Sequence, residues 1–112
     1  MKIPTFSCLP HVKALAEFKC HGNLFSRWET ASDGSRMYVV YSYGPHWPLF
    51  VWHDGVWYEN KDRYSVTTSK HRSQAHPRCD TVKVLGLALR TFILHGIEHL
   101  PGVQRLLAVS AG

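Results

Sequence analysis

The chain has 112 residues, of which 45% are hydrophobic and 19% charged, and a formal charge of +5 with its eight histidines neutral. That length supports one apolar core, and the composition excludes a disordered chain. The three cysteines cannot all pair and form no CxxC cluster, and no apolar run nears the roughly 20 residues needed to cross a bilayer, which argues against a disulfide scaffold and a membrane helix.

The first residues, MKIPTFSCLPHVK, lack the continuous apolar run of a signal peptide, so a soluble protein of a reducing cytoplasm is expected. Residues 1–8 show no period and read as a loose lead-in. Pro10 suits the first turn of a helix, Val12, Leu15, Ala16 and Phe18 give it an apolar side, and Gly22 stops it. A short helix is therefore predicted over Pro10 to Lys19, covering one face of a sheet.

From Leu24 the period shortens towards two, with Leu24, Phe25 and Trp28 ahead of a turn cluster at Ser32 to Arg36. Met37 to Tyr43 and Trp47 to His53 read as further strands, separated by Gly44 and Pro45. Asp54 and Gly55 make a two-residue hairpin turn into Val56 and Trp57. His46 is expected to bond the turn backbone and His53 to be exposed. Asn60 to Arg63 is another turn, and Tyr64 to Thr68 fits the start of a further strand. The following SKHRSQAHPRC, Ser69 to Cys79, is polar, basic and broken by Pro77, so it is expected as a surface loop.

Asp80 or Thr81 can cap a last helix, in which Val84, Leu85, Ala88, Leu89, Phe92 and Ile93 recur at three- and four-residue spacing, ending at Gly96. Thr81, Val82 and Val84 equally fit a short strand before that helix. Val103 to Val109 allows one or two more helical turns, and residues 110–112 read as a frayed end. The expected fold is one domain, 1–112, of the α+β class: a small antiparallel sheet of three to five strands with an N-terminal and a C-terminal helix packed on it.

From Lys61 to Lys83, six Lys or Arg stand against two Asp, a net +4 out of the total +5. A negatively charged partner would meet that segment. Trp47, Trp52, Trp57, Tyr38, Tyr41, Tyr43, Tyr58 and Tyr64 offer a base-stacking surface beside it. Strand alternation consigns most of them to packing, and Trp47, Trp57 and Tyr64, near turns, are the ones expected at the surface. The candidate binding residues are thus Lys61, Arg63, Tyr64, Ser69, Lys70, His71 and Arg72, with Trp47 and Trp57.

No residue is assigned to catalysis or to a metal, and no cofactor is expected. His95 and His99 have HxxxH spacing, but Gly96 interrupts them and no third ligand is fixed. Ser69, Lys70 and His71 are adjacent, and on an extended segment neighbours point to opposite sides, which is not the geometry of an activated nucleophile. No Walker-type loop and no GxGxxG is present.

The segment YSYGPHWPLFVWHDGVWYENKDRYSVTTSKHRSQ resembles a small domain found in uncharacterised proteins of bacteriophages and plasmids. The resemblance rests on Tyr41, Ser42, Tyr43, Gly44, His46 and Pro48, then Trp57, Asn60, Tyr64, Ser65, Thr67, Thr68, Ser69, Lys70 and His71. It implies an origin in a mobile genetic element, a phage above all, and no particular activity. The expectation is a non-enzymatic binding protein acting in the host cytoplasm on a host protein or nucleoprotein complex, with anti-defence (anti-CRISPR-like) inhibition as one form. Direct binding of DNA or RNA is the alternative, and a small His-dependent hydrolase or nuclease is a third reading. No membrane partner is expected.

Overall fold

A computed structural model of the chain describes residues 2–45, 47–62, 66–96 and 98, with 66–69 described by their backbone alone. After a 3-10 turn at Thr5–Ser7 come α1 (Leu9–Lys13), β1 (Leu24–Thr30), β2 (Arg36–Ser42), β3 (Pro48–His53), β4 (Val56–Asn60), α2 (Val66–Ala75), β5 (Val82–Val84) and α3 (Gly86–His95). The strands form one sheet in the order β1-β2-β3-β4-β5. This is the expected α+β fold. The first four strands pair antiparallel, and β5 joins β4 in parallel because the chain crosses over through α2 before returning.

Helices cover both faces, which explains why β2 reads as an unbroken apolar run and not an alternating one. Every residue from Met37 to Ser42 is buried. Tyr38 and Val40 point into a core with Cys8, Val12, Phe18, Cys20, Leu24 and Phe50 under α1 and α2. Met37, Val39 and Tyr41 point the other way, with Val51 and Tyr58, against Leu89 and Phe92 of α3. Each large side chain fully buried here contributes about 1.5–3 kcal/mol. The register slips by one residue between Val40 and Tyr41, a bulge that puts Leu49 as well as Phe50 into the first core.

The Asp54-Gly55 turn forms as expected, with φ of 48° and 83°, the two positive angles of a type I′ hairpin. The first helix is shorter than expected and stops at Lys13. Leu15 takes a positive φ of 55° and turns the chain to run beside β1. There Ser26 N–H donates to Phe18 O (2.9 Å) and Cys20 N–H to Leu24 O (2.7 Å). Ala16, Phe18 and Cys20 alternate with Glu17 and Lys19, so a strand-like period of two takes over where a helical one was read.

The stretch from Val66 to Ala75 is neither strand nor loop but the crossover helix α2. It lacks an apolar stripe, and among its described side chains His71 and Ala75, one turn apart, are buried. Thr81 does not cap a helix; its hydroxyl donates to Glu59 Oε1 (2.7 Å) beside β5. The last helix begins at Gly86, whose N–H donates to Asp62 Oδ2 (2.9 Å). His53 is half-buried, edge-on to Phe92 with ring centroids 5.4 Å apart. Among the described residues, no helix is long and apolar enough to cross a membrane.

Candidate functional site

The connection from β4 to β5 contains most of the residues singled out by charge. It starts from a polar knot. Asn60, fully buried, donates through Nδ2 to Pro48 O (2.8 Å) and accepts from Asp62 N–H (2.8 Å). Asp62 then accepts from Gly86 N–H on one side and, through its carbonyl, from Arg72 Nη2 at 2.5 Å. Arg72 is thereby committed to holding α2 against the end of β4, and its buried Nε has no hydrogen-bond partner among the described residues. Lys61 N–H donates to Val84 O (2.8 Å), leaving its side chain exposed.

Helical periodicity sorts α2. His71 and Ala75 turn inward, and Lys70 and Ser73 turn outward. His71 Nδ1 lies 2.8 Å from Ser42 Oγ, with the two side chains 3% and 0% exposed, and its ring packs on that of Tyr43 with centroids 6.0 Å apart. Burial, assisted by the neighbouring Lys70 charge, pushes the His71 pKa below its ordinary value. A serine and histidine at bonding distance invite a catalytic reading, but both residues are almost wholly buried, and their contact joins β2 to α2.

His76, just after α2, is held at both ring nitrogens. Nδ1 accepts from Arg78 N–H (3.0 Å), so the neutral ring carries its proton on Nε2, which faces Glu59 Oε1 at 3.4 Å. The same carboxylate oxygen takes the Thr81 hydroxyl. Glu59 is 6% exposed, so this cluster also serves the fold. Among the described residues no group of three or more His, Cys, Asp or Glu is placed to hold a metal. His95 is exposed at the end of α3, and His99 lies outside the described residues, as do His46, Arg63 and Tyr64.

Of the expected binding residues, Lys61 and Lys70 are exposed, and Arg78 and Lys83 join them on the outside of the crossover. His71 is buried, Arg72 is half-buried, and the side chain of Ser69 lies outside what is described. Trp47 and Trp57 are half-buried against the first core. Trp57 belongs to a row that crosses four strands in register, Trp28-Tyr38-Trp52-Trp57. Its rings meet edge to face: Trp28 with Tyr38 at 65°, Trp28 with Trp52 at 79° and Tyr38 with Trp57 at 87°. That herringbone is a packing arrangement and gives no flat platform for a base.

Ser42 and Tyr43 meet His71, and Asn60 bonds Pro48. The first contacts hold α2 to the end of β2, and the second holds β4 to β3. Sequence reasoning overlooked Arg27, although the alternation of Phe25, Arg27 and Glu29 in β1 was enough to place all three on one face. Set against protein families, curated proteins and solved structures, the chain finds no match in any of the three.

Proposed function

We propose that this is a non-enzymatic binding protein of a mobile genetic element, acting in the host cytoplasm on a host protein or nucleoprotein complex through the outer side of the β4–β5 crossover. Inhibition of a host defence complex is its concrete form. One observation carries this reading: at the crossover the chemically versatile groups, His71 and His76 with Glu59 of β4, turn inward to hold the fold, and Lys61, Lys70, Arg78 and Lys83 stay outward. A surface of that kind recognises an acidic partner by charge complementarity. The mobile-element origin rests on the sequence resemblance of Tyr41 to His71.

The test is affinity capture from host lysate, before and after nuclease treatment, with the wild type and with Lys61→Glu/Lys70→Glu. A protein partner that survives nuclease and is lost with the charge reversal supports the reading. Capture unaffected by the reversal overturns it.

Direct nucleic-acid binding at the same surface is the second reading, favoured by the same four cations. It predicts a salt-sensitive shift of DNA or RNA, with Lys70→Ala reducing the salt slope by about 1. Arg72→Ala is a poor probe, because Arg72 is bonded to Asp62 and its loss loosens α2.

A further inference from the structure

A second cationic surface lies on the opposite face and at the opposite edge of the sheet. Ile3 bridges Cys20 in parallel, Lys19 bridges Phe25 antiparallel, and Phe25 pairs with Tyr41. Alternation then puts Lys2, Lys19, Phe25 and Tyr41 in one row on the face that carries α3, near the sheet edge. The Phe25 and Tyr41 rings stack at 5.2 Å and 25°. Arg27 Cζ sits over both, 5.7 Å from the Phe25 centroid and 5.2 Å from that of Tyr41. Glu29 fixes the guanidinium, accepting from Nε at 3.1 Å, and also takes the Tyr41 hydroxyl. The Arg27 side chain is nonetheless 45% exposed.

Arg27 is shared by two clefts. One, of about 710 Å³, runs to Lys2 and Lys19, and the other, of about 370 Å³, runs to Arg90 of α3. The carboxylates of this region are engaged: Glu17 accepts the Trp28 N–H at 2.8 Å, and Glu29 holds Arg27 and Tyr41. Among the described residues no carboxylate pairs with Lys2, Lys19 or Arg90.

The geometry points to a binding site for single-stranded nucleic acid, with a base stacked on the outer side of the Arg27 guanidinium and the flanking phosphates met by Lys2 and Lys19 on one side and Arg90 on the other. Guanidinium planes and aromatic rings stack unpaired bases without regard to sequence, and lysines track the backbone. A free mononucleotide would fill one cleft and leave the other, whereas a strand passes over Arg27 through both. A duplex offers no unstacked base, and the carboxylate of an acidic peptide would seek the guanidinium edge, where Glu29 already accepts from Nε. This site does not depend on the crossover surface.

The test measures fluorescence anisotropy of a labelled mixed-sequence single strand, as DNA and as RNA, over a range of salt. Three variants are compared with the wild type: Lys19→Glu, Arg27→Lys and Lys70→Glu, each checked for an unchanged melting curve. Lys2→Glu replaces any that fails to fold. Lys19→Glu is expected to weaken binding about tenfold and to lower the salt slope by about 1–2. Arg27→Lys keeps the charge and loses the plane, so it should weaken binding several-fold with the salt slope unchanged. Lys70→Glu should bind as the wild type. Wild-type affinity in both β1-side variants, loss confined to Lys70→Glu, or a mononucleotide competing as well as the strand would overturn the proposal. Failure of host-protein capture alone would overturn the crossover reading and leave this one standing.

Discussion

Ser42 Oγ and His71 Nδ1 lie 2.8 Å apart in a space closed to solvent, joining β2 to α2 across 29 residues of chain. The imidazole is a buried polar group of α2, so its protonation state bears on whether that helix stays docked. Burial and Lys70 hold its folded pKa below the ordinary 6.5, which means that the unfolded chain takes up the proton first. Stability from this group is complete above pH 6.5 and is lost as the pH falls through it. Urea unfolding between pH 7.5 and 5 should show a midpoint that declines as the pH falls below 6.5. His71→Asn keeps a polar atom near Ser42 and does not titrate, so its profile should be flatter. An equally steep profile in that variant would assign the acid sensitivity elsewhere.

The three cysteines should divide by burial. Cys8 is fully buried and Cys20 is 2% exposed, whereas Cys79 is exposed. Burial, with Cys20 close by, pushes the Cys8 thiol up to about 12, and Cys20 is raised for the same reason of burial. The reactive species is the thiolate, so neither should react in the folded protein at mild pH. A thiol-disulfide reagent at pH 8 should titrate Cys79 quickly and the other two only with denaturant. A second fast thiol in native protein, or a fast phase that survives Cys79→Ser, would contradict this placement.

Much of the fold was legible because local chemistry and tertiary context agreed. Asp54-Gly55 demanded positive φ, the run from Met37 to Ser42 demanded burial, and Leu89, Phe92 and Ile93 kept a helical spacing that the structure uses. Legibility failed where a few long-range contacts decide the outcome. Nothing apolar marks α2 as a helix; it is held by Ser42 to His71, Asp62 to Arg72 and the Cys8 thiol to Gln74 O (3.5 Å). Leu15 hides the end of α1, because an apolar residue at positive φ has no signature in sequence. For the candidate site, charge located the exposed Lys61 and Lys70 but could not tell that His71 faces inward. The β1 surface was missed because its cations are scattered along the chain: Lys2, Lys19 and Arg27 meet through strand register, and Arg90 joins them through the packing of α3 on the sheet.

The knot at the start of the crossover predicts energetic coupling. A Cβ on Gly86 would come within 2.8 Å of Asn60 Nδ2 and 2.9 Å of Asp62 Oδ2. Gly86→Ala should therefore destabilise by about 1–3 kcal/mol, the usual cost of overpacking. Asn60→Ala leaves Pro48 O and Asp62 N–H without their partner and should cost about 1–3 kcal/mol for each group left buried and unbonded. Removing the Asn60 amide also relieves part of the clash at Gly86. The double variant should therefore lose less than the sum, with a coupling of about 0.5 kcal/mol or more in a chemical-denaturation cycle. Strict additivity would mean that Asp62 alone, and not Asn60, meets the new methyl group.

The herringbone row gives the last prediction, because it separates packing from recognition at a residue that sequence placed in the binding surface. Trp57 stands edge to face with Tyr38 at 6.1 Å and with Phe50 at 6.4 Å, and both partners are in the first core. Trp57→Ala should lower stability by about 2 kcal/mol, less than full burial of the ring would cost, since Trp57 is half-buried. Near-ultraviolet circular dichroism should lose intensity as the coupled rings come apart. Capture of a host partner through Lys61 and Lys70, measured at a temperature where the variant remains folded, should be unchanged. Trp57→Phe should recover most of the stability by restoring an aromatic edge. A variant that folds as stably as the wild type but no longer captures its partner would move Trp57 from the core to the contact surface and extend that surface from the crossover onto the face of the sheet.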